Sequence, residues 1–307
     1  MRSVRQSAGI SARGRLSLQA DFHTGIQLFF MISILILTKN EEHDLPGCLQ
    51  SVSWSDDIHV FDSHSSDDTV AIAARAGARV TQREYDNNQP FGGHEGEHRT
   101  WGLRNIPFKY PWVFVIDADE RMTPELVTEA RAAVANAGER VAFSVPRRDY
   151  LFNTWLKHAV PTPFNIRLFK PDRVCYERFT NPALRVDGSV GNLNCFFKHF
   201  PYSKGMSHWV AKHNSYSTLE ARQIIENRKT APSVSVVGAV FAKNGSVRRF
   251  HQKELYYRLP CRPLVMFCGL YILKGGFLDG RAGLVFVLLR SIYEYFIVLK
   301  QRELEAG

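Results

Sequence analysis

Apolar and polar positions come in short alternating blocks along the first half of the chain. Ile32 to Leu37 is an almost unbroken apolar run, ended by Thr38-Lys39-Asn40-Glu41-Glu42, and its length suits one buried strand. A helix is expected over Glu41 to Val52, a strand over Ile58 to Phe61, and a helix over Asp67 to Ala76 that stops at Gly77 in the C′ position. A third strand follows at Ala78 to Thr81. Glu97 to Leu103 reads as helical and Trp112 to Ile116 as a buried strand. Thr123-Pro124-Glu125 caps a helix running to about Ala135, with proline at N1, before Val141 to Val145 returns as a strand. Such alternation predicts an α/β fold, a parallel-rich mixed sheet with helices on both faces and right-handed crossovers.

Beyond Val145 the regularity fades. Residues 147–200 are rich in aromatics, Pro and Asn, with short strands expected at Ile166 to Phe169 and Leu193 to Phe197. Gly205 to Lys229 reads as one helix, with Trp209, His213, Tyr216 and Leu219 near helical spacing. His208 and Lys212 lie on the same helix, where a solvated face explains them as well as a functional role. From about Val234 the pattern changes again. Leu264 to Leu273 carries no charge, Gly275-Gly276 interrupts, and Leu284 to Leu299 is apolar apart from Arg290, Ser291, Glu294 and two tyrosines. Each run is shorter than the eighteen or so uncharged residues of a spanning helix. Lys and Arg surround them, as in elements that lie in an anionic bilayer surface. The division expected is a leader over 1–30, a first half over 31–146, a second half over 147–233 and a membrane-associating helical segment over 234–307.

Composition narrows the partners. Thirty-nine Lys and Arg against thirty Asp and Glu leave a net charge of +9, which points to nucleic acid, nucleotide phosphates or an anionic membrane. No helix-turn-helix, RNP-like or zinc-finger pattern occurs, so nucleic acid is set aside. The five cysteines are odd in number, scattered and free of C-x-x-C, which excludes a disulfide framework and a zinc knuckle and fits a reducing cytoplasm. Residues 1–30 hold four arginines among Ser and Gly with no periodicity and read as a disordered leader. Met31 is a second candidate start.

The chemistry gathers at Val113-Phe114-Val115-Ile116-Asp117-Ala118-Asp119-Glu120. A buried strand ends in two carboxylates at i and i+2, at the rim where open α/β sheets keep their ligands. Such a pair can grip Mg²⁺ or Mn²⁺ together with phosphate oxygens. Asp62, closing the strand before it, falls on the same rim. Free N–H groups of the helix that begins near Asp67 are expected there too.

Three blocks carry a family resemblance: Ile34-Leu35-Ile36-Leu37-Thr38-Lys39-Asn40-Glu41-Glu42, Val60-Phe61-Asp62-Ser63-His64-Ser65-Ser66-Asp67-Asp68-Thr69, and Asp117-Ala118-Asp119-Glu120-Arg121. In order and spacing the chain resembles the family 2 glycosyltransferases of the GT-A fold, over about Met31 to Lys300. Pro146-Arg147-Arg148, Ile166-Arg167-Leu168-Phe169 and Gly276-Phe277-Leu278-Asp279-Gly280 resemble the bacterial subgroup that builds lipopolysaccharide core and exopolysaccharide. The resemblance implies a nucleotide-diphospho-sugar donor, UDP-linked first of all, held by Thr38 and Asp62 at base and ribose. It implies a divalent cation on Asp117 and Asp119, and Arg99 against the donor sugar or phosphate. It further implies inverting transfer to a lipid-linked saccharide or lipopolysaccharide acceptor, with the protein peripheral or monotopic on the cytoplasmic face of the bacterial inner membrane.

Two departures from that subgroup affect the general base. Asn181-Pro182 stands where relatives carry a His-Glu pair, and Pro163-Phe164 where they carry Pro-Asp. Glu177 becomes the first candidate, with Asp149, Asp187 and His199 behind it. Loss of the usual base also leaves open a non-catalytic sugar-nucleotide-binding partner of an envelope-polysaccharide assembly. His94-Glu95-Gly96-Glu97-His98 matches H-E-x-x-H in letters. The glycines before and within it argue against the continuous helix that zinc hydrolysis requires.

Overall fold

The computed structural model describes residues 32–84, 95–177, 183–230 and 234–306. The leader, most of the stretch before Glu95 (including His94) and the Asn181-Pro182 pair lie outside the described residues. Four parallel strands form the first half: β1 (Ser33–Thr38), β2 (Ile58–Asp62), β3 (Arg79–Gln82) and β4 (Val113–Asp117), side by side in the order β3-β2-β1-β4. Between them run α1 (Leu45–Val52), α2 (Thr69–Arg75) and α3 (Glu95–Asn105). Ile34, Ile36, Phe114 and Ile116 are wholly buried on the face covered by α1. Leu35, Val113 and Phe61 are buried on the other, against Leu103 and Ile106 of α3 and its exit. Apolar residues on both faces are why these strands read as continuous rather than alternating runs. The register sets Thr38 beside Asp62 and Leu37 beside Asp117, so the polar strand ends share one rim.

The second half inverts part of the sheet. After β5 (Glu120–Met122) and α4 (Pro124–Ala135), whose Thr123 cap accepts from the Leu126 N–H at 3.2 Å, comes the long β6 (Arg140–Leu151), then β7 (Thr154–Trp155) and β8 (Phe164–Phe169). Strand β8 slots between β4 and β6, antiparallel to both. A separate hairpin is made by β9 (Val174–Glu177) and β10 (Ala183–Val186), while β11 (Ser189–Asn192) and β12 (Phe197–His199) add to β6. The strand expected over Leu193 to Phe197 falls in the break between β11 and β12, with only Phe197 in a strand, because those two strands pair with different stretches of β6 and the chain leaves the sheet between them. Helices on both faces and this β3-β2-β1-β4-β8-β6-β12-β5 order are the GT-A arrangement.

The C-terminal part is helical: α5 (Gly205–Thr230), α6 (Val236–Phe241), α7 (Gly245–Tyr257), α8 (Arg262–Cys268), a π-helical turn Gly269–Leu273, a 3-10 turn Gly276–Asp279, and α9 (Gly280–Ala306). Trp209, Ala221 and Ile224 of α5 pack with Tyr293 and Ile297 of α9 in a core of their own. One expectation needs correction. Gly276 to Ala306 is a single helical stretch of 31 residues with mean hydropathy 1.8, long and apolar enough by length and composition to cross a membrane, although a third of its most apolar window is buried. One of the charges that shortened the run in sequence is absorbed inside: Glu294 is buried against Arg262 at 3.2 Å.

The Gly-Phe-Leu-Asp-Gly block acts as a latch between the halves. Buried Asp279 accepts from the backbone N–H of His158 at 2.9 Å and of Ala159 at 2.8 Å, holding the loop after β7. Gly280 sits at φ 61°, and a Cβ on Gly283 would strike the Gly276 carbonyl oxygen. Asp279→Ala leaves two amides without their acceptor, so the chain should lose about 1 to 3 kcal/mol. Urea unfolding should show that loss, with hydrogen exchange quickening first at residues 156–160; unchanged exchange there would dismiss the latch.

Candidate active site

The loops after β1 and β2 are zipped together by side-chain hydrogen bonds. Asp62 is fully buried and accepts from Thr38 Oγ1 at 2.8 Å, Ser65 N at 2.8 Å, Ser65 Oγ at 2.5 Å and Gln82 Nε2 at 3.0 Å. Burial alone would raise its pKa, but these donors outweigh it and hold the carboxyl below its ordinary value. Lys39 Nζ donates to the carbonyls of Ser63 and His64, both at 2.7 Å, and Ser66 N donates to Asn40 Oδ1 at 2.8 Å. The amides expected to be free at the start of α2 are taken as well. Thr69 N donates to Asp67 Oδ1 at 3.1 Å and Asp68 N to Glu42 Oε2 at 3.1 Å.

The turn after β4 is built around shared charge. Arg167 of β8 reaches Asp117 Oδ2 at 2.8 Å and Glu120 Oε1 at 2.6 Å, while Glu120 Oε2 accepts from Asp117 N at 2.9 Å. Two carboxylates divide one guanidinium, so their pKa values separate. For Asp117, burial opposes ionisation, but Arg167 and Arg99 hold it well below the usual carboxylate range. For Glu120, burial prevails over Arg167 and pushes it up to about 7. Arg121 fastens the same turn from outside, donating to the carbonyls of Ala118 at 2.7 Å, Glu120 at 2.8 Å and Asp44 at 2.9 Å.

Asp119 meets a histidine. Pairing of β12 with β5 and β6 sets His199 opposite Glu120 and Asp149, so its ring bridges Asp149 Oδ1 at 2.6 Å and Asp119 Oδ2 at 3.4 Å. Burial would lower the imidazole's pKa, yet the two carboxylates raise it to about 9 and keep it cationic at neutral pH. Asp149 accepts at its other oxygen, Oδ2, from Arg147 Nη2 at 3.2 Å.

Asp117, Asp119 and His199 line a cleft of about 300 Å³ with Thr38, Lys39, Glu41, Ser63, His98, Arg99, Lys212 and Tyr216. Arg99 pairs with Glu95 at 2.5 Å and lies over the Tyr176 ring at 5.6 Å. His98 stacks on Phe61 with centroids 4.2 Å apart; burial lowers its pKa to about 4, so it is a neutral wall. Glu41 accepts from Lys204 Nζ at 2.6 Å, but burial still pushes it up to about 7. Of the residues expected at the site, Thr38, Arg99, Asp117 and Asp119 converge on the cleft. Asp62 lies behind it, with its acceptor capacity spent on the protein. The backbone of Glu177 closes β9, opposite Ala183, and its side chain lies outside the described residues. From sequence, His199 comes behind Glu177 with Asp149 and Asp187 as a base candidate, and Lys212 is open between a functional role and a solvated face; the cleft is lined by both His199 and Lys212. Sequence reading assigned Arg167 no partner; a lone arginine in an apolar strand beside a carboxylate-bearing strand was the available signal.

Among the described residues no three His, Cys, Asp or Glu side chains already converge as a metal cage. The donor set nevertheless suits a hard cation shared with a ligand. Asp117 and Asp119 each have one oxygen that no donor reaches among the described residues, leaving the remaining positions to phosphate oxygens and water.

A parallel sheet carrying paired carboxylates and cations at its rim defines an α/β glycosyltransferase of GT-A type. The chain belongs to glycosyl transferase family 2, whose family model matches residues 33–188. It is 26% identical over 276 residues to the lipopolysaccharide core biosynthesis glycosyltransferase LpsC of Rhizobium meliloti, covering 88% of this chain and 91% of that one. An uncharacterized glycosyltransferase of Rickettsia prowazekii is 35% identical over 213 residues, or 64% of this chain and 69% of its own. Glucosyl-3-phosphoglycerate synthase from Mycobacterium tuberculosis, solved with Mn²⁺, UDP-glucose and phosphoglyceric acid, aligns at 24% identity and a TM-score of 0.33. That alignment covers 40% of this chain and 46% of the other, and so limited an overlap adds nothing to the family match.

Glu41 has a folded-state pKa of about 7 against 4.5 for the unfolded chain, so the folded state binds the extra proton between those values. Its contribution to stability is present below 4.5 and declines by up to about 3 kcal/mol as pH rises through 7. The stability difference between wild type and Glu41→Gln, from urea unfolding at about pH 5 and pH 8, should therefore move against wild type at the higher pH. A pH-independent difference would show that Glu41 titrates normally.

Proposed function

We propose that the protein transfers a sugar from a nucleoside-diphosphate donor, with UDP-sugars first to be tried, to a lipopolysaccharide-core or other lipid-linked saccharide at the cytoplasmic membrane face. One observation carries this reading: Asp117 and Asp119 face Lys39, Arg99 and Lys212 across one cleft at the strand rim. Carboxylates and cations so placed can divide a diphosphate between them. The acceptor class is supported by likeness to LpsC over most of both chains. Family membership favours the enzyme over a non-catalytic sugar-nucleotide-binding partner.

Thr38 and Ser63 line the part of the cleft next to the zipped loops and are proposed to border base and ribose. Asp62 acts there by fixing Thr38 and Ser65. Asp117 and Asp119 would hold Mg²⁺ or Mn²⁺, which when bound supplies Lewis-acid charge to the diphosphate. Arg99 and Lys212 set fixed positive charge where the leaving nucleoside diphosphate gathers negative charge, and the bond from sugar C1 to that oxygen breaks as the acceptor hydroxyl attacks from the opposite face. Glu177 remains the proposed base that takes the hydroxyl proton, giving inversion; its neighbour Tyr176 is fixed to α3 through Thr100 Oγ1 at 3.0 Å and the Arg99 stack.

Release of nucleoside diphosphate from a panel of sugar nucleotides, with Mn²⁺ or with excess EDTA, tests the assignment. Asp119→Ala should abolish transfer with folding intact. Lys212→Met should lower kcat by about 10²-fold, as loss of one transition-state donor does. Full activity in EDTA, or wild-type rates in either variant, would remove these residues from the diphosphate site.

For membrane contact the exposed tip after α8 is the proposed element. Leu273 is 85% exposed, with Ile272, Phe277 and Leu278 beside it and Lys274 among them. Removing α9 would strip Trp209 and Ile224 of their cover, so point changes are the cleaner test. Ile272→Asp with Leu273→Asp should abolish cosedimentation with anionic vesicles at low salt while sparing donor hydrolysis. Binding equal to wild type would place the contact elsewhere.

A further inference from the structure

A second cavity, of about 510 Å³, lies among the C-terminal helices and shares no lining residue with the sugar-nucleotide cleft. Its walls come from the turn after α7, the start of α8 and the last turns of α9, with Leu259, Leu264 and Val298 as apolar surface and Arg228 and Arg302 among the polar residues. Two of its residues are buried donors with unmet bonds. Arg262, 3% exposed, pairs through Nε with Glu294 Oε1 at 3.2 Å and donates Nη2 to Gln301 Oε1 at 2.7 Å, while its Nη1, like Glu294 Oε1, has no hydrogen-bond partner among the described residues. Gln301, 6% exposed, likewise leaves Nε2 without an acceptor.

Buried donors are rarely left unmet, because each orphan costs about 1 to 3 kcal/mol. Two of them side by side call for a ligand rich in oxygens. Charge agrees: Arg228, Arg262 and Arg302 line the cavity with Glu305 as its one acid, and Glu305 is already engaged by Arg228 at 2.9 Å. A free anion would leave the apolar wall without a use. Leu264 is 62% and Tyr295 51% exposed, and both line the cavity, so hydrocarbon can leave along them.

We propose that this cavity binds the phosphate monoester headgroup of an anionic lipid. Arg262 and Gln301 donate from the floor, Arg228 and Arg302 flank the phosphate, and the acyl chains run over Leu259, Leu264 and Val298. Binding here needs neither donor nor acceptor sugar, so it stands or falls apart from the transferase reading.

Dihexanoyl phosphatidic acid, titrated into the full chain below its micellar concentration, should bind saturably by calorimetry. Dihexanoyl phosphatidylcholine and inorganic phosphate should each bind roughly tenfold more weakly or worse. Arg262→Gln should reduce phosphatidic acid to the phosphatidylcholine level. Because that residue is buried and its loss could unfold the helices, Leu264→Asp at the exposed wall supplies the second reading: weaker binding with unchanged helix content. Equal binding of the two lipids, phosphate as tight as phosphatidic acid, or wild-type affinity in Leu264→Asp would overturn the site.

Discussion

The site depends on how Arg167 divides itself between Asp117 and Glu120. A strand that ends in Asp-Ala-Asp-Glu brings three carboxylates into a few ångströms, a cost that buried acids meet only with cations or protons. Arg167 supplies the cation from β8, and it reaches there because β8 runs antiparallel beside β4, with Leu168 in register with Phe114. Asp119 has its own counter-ion in His199, backed by Asp149. The result keeps Asp117 and Asp119 ionised at neutral pH while Glu120 sits near its titration point. Ionised oxygens in a fixed turn are what a cation-bearing diphosphate needs.

The same logic explains why the two halves of the chain are interdependent. The parallel half provides loops cross-linked to one another, since Asp62, Asp67 and Asn40 spend acceptors on neighbouring backbone and hydroxyls. Lys204, just before helix α5, and Lys212 and Tyr216 on it reach that rim from a segment far later in the chain, and α5 is itself supported by α9. Asp279 then ties the start of α9 to the loop after β7.

In the sequence alone, alternation of apolar and polar blocks determined the α/β class, and the strands and helices up to Val145 fall within a few residues of where periodicity sets them. The helix over Pro124–Ala135 is an instance, because its Thr cap and N1 proline are local signals. Thr38, Asp117 and Asp119 were legible for the same reason: each ends an apolar strand, and parallel strands put such ends on one rim. What tertiary structure decided was who faces whom. Arg167 and His199 are 50 and 80 residues from their aspartates, and only strand order and register join them. The length of the last helix escaped because Glu294 and Arg290 look like interruptions until Arg262 and the Tyr293 ring are seen beside them. Local sequence fixes the period of an element and its caps; partners that meet across the sheet or between helices are chosen by packing, whose energy is shared by residues far apart in the chain.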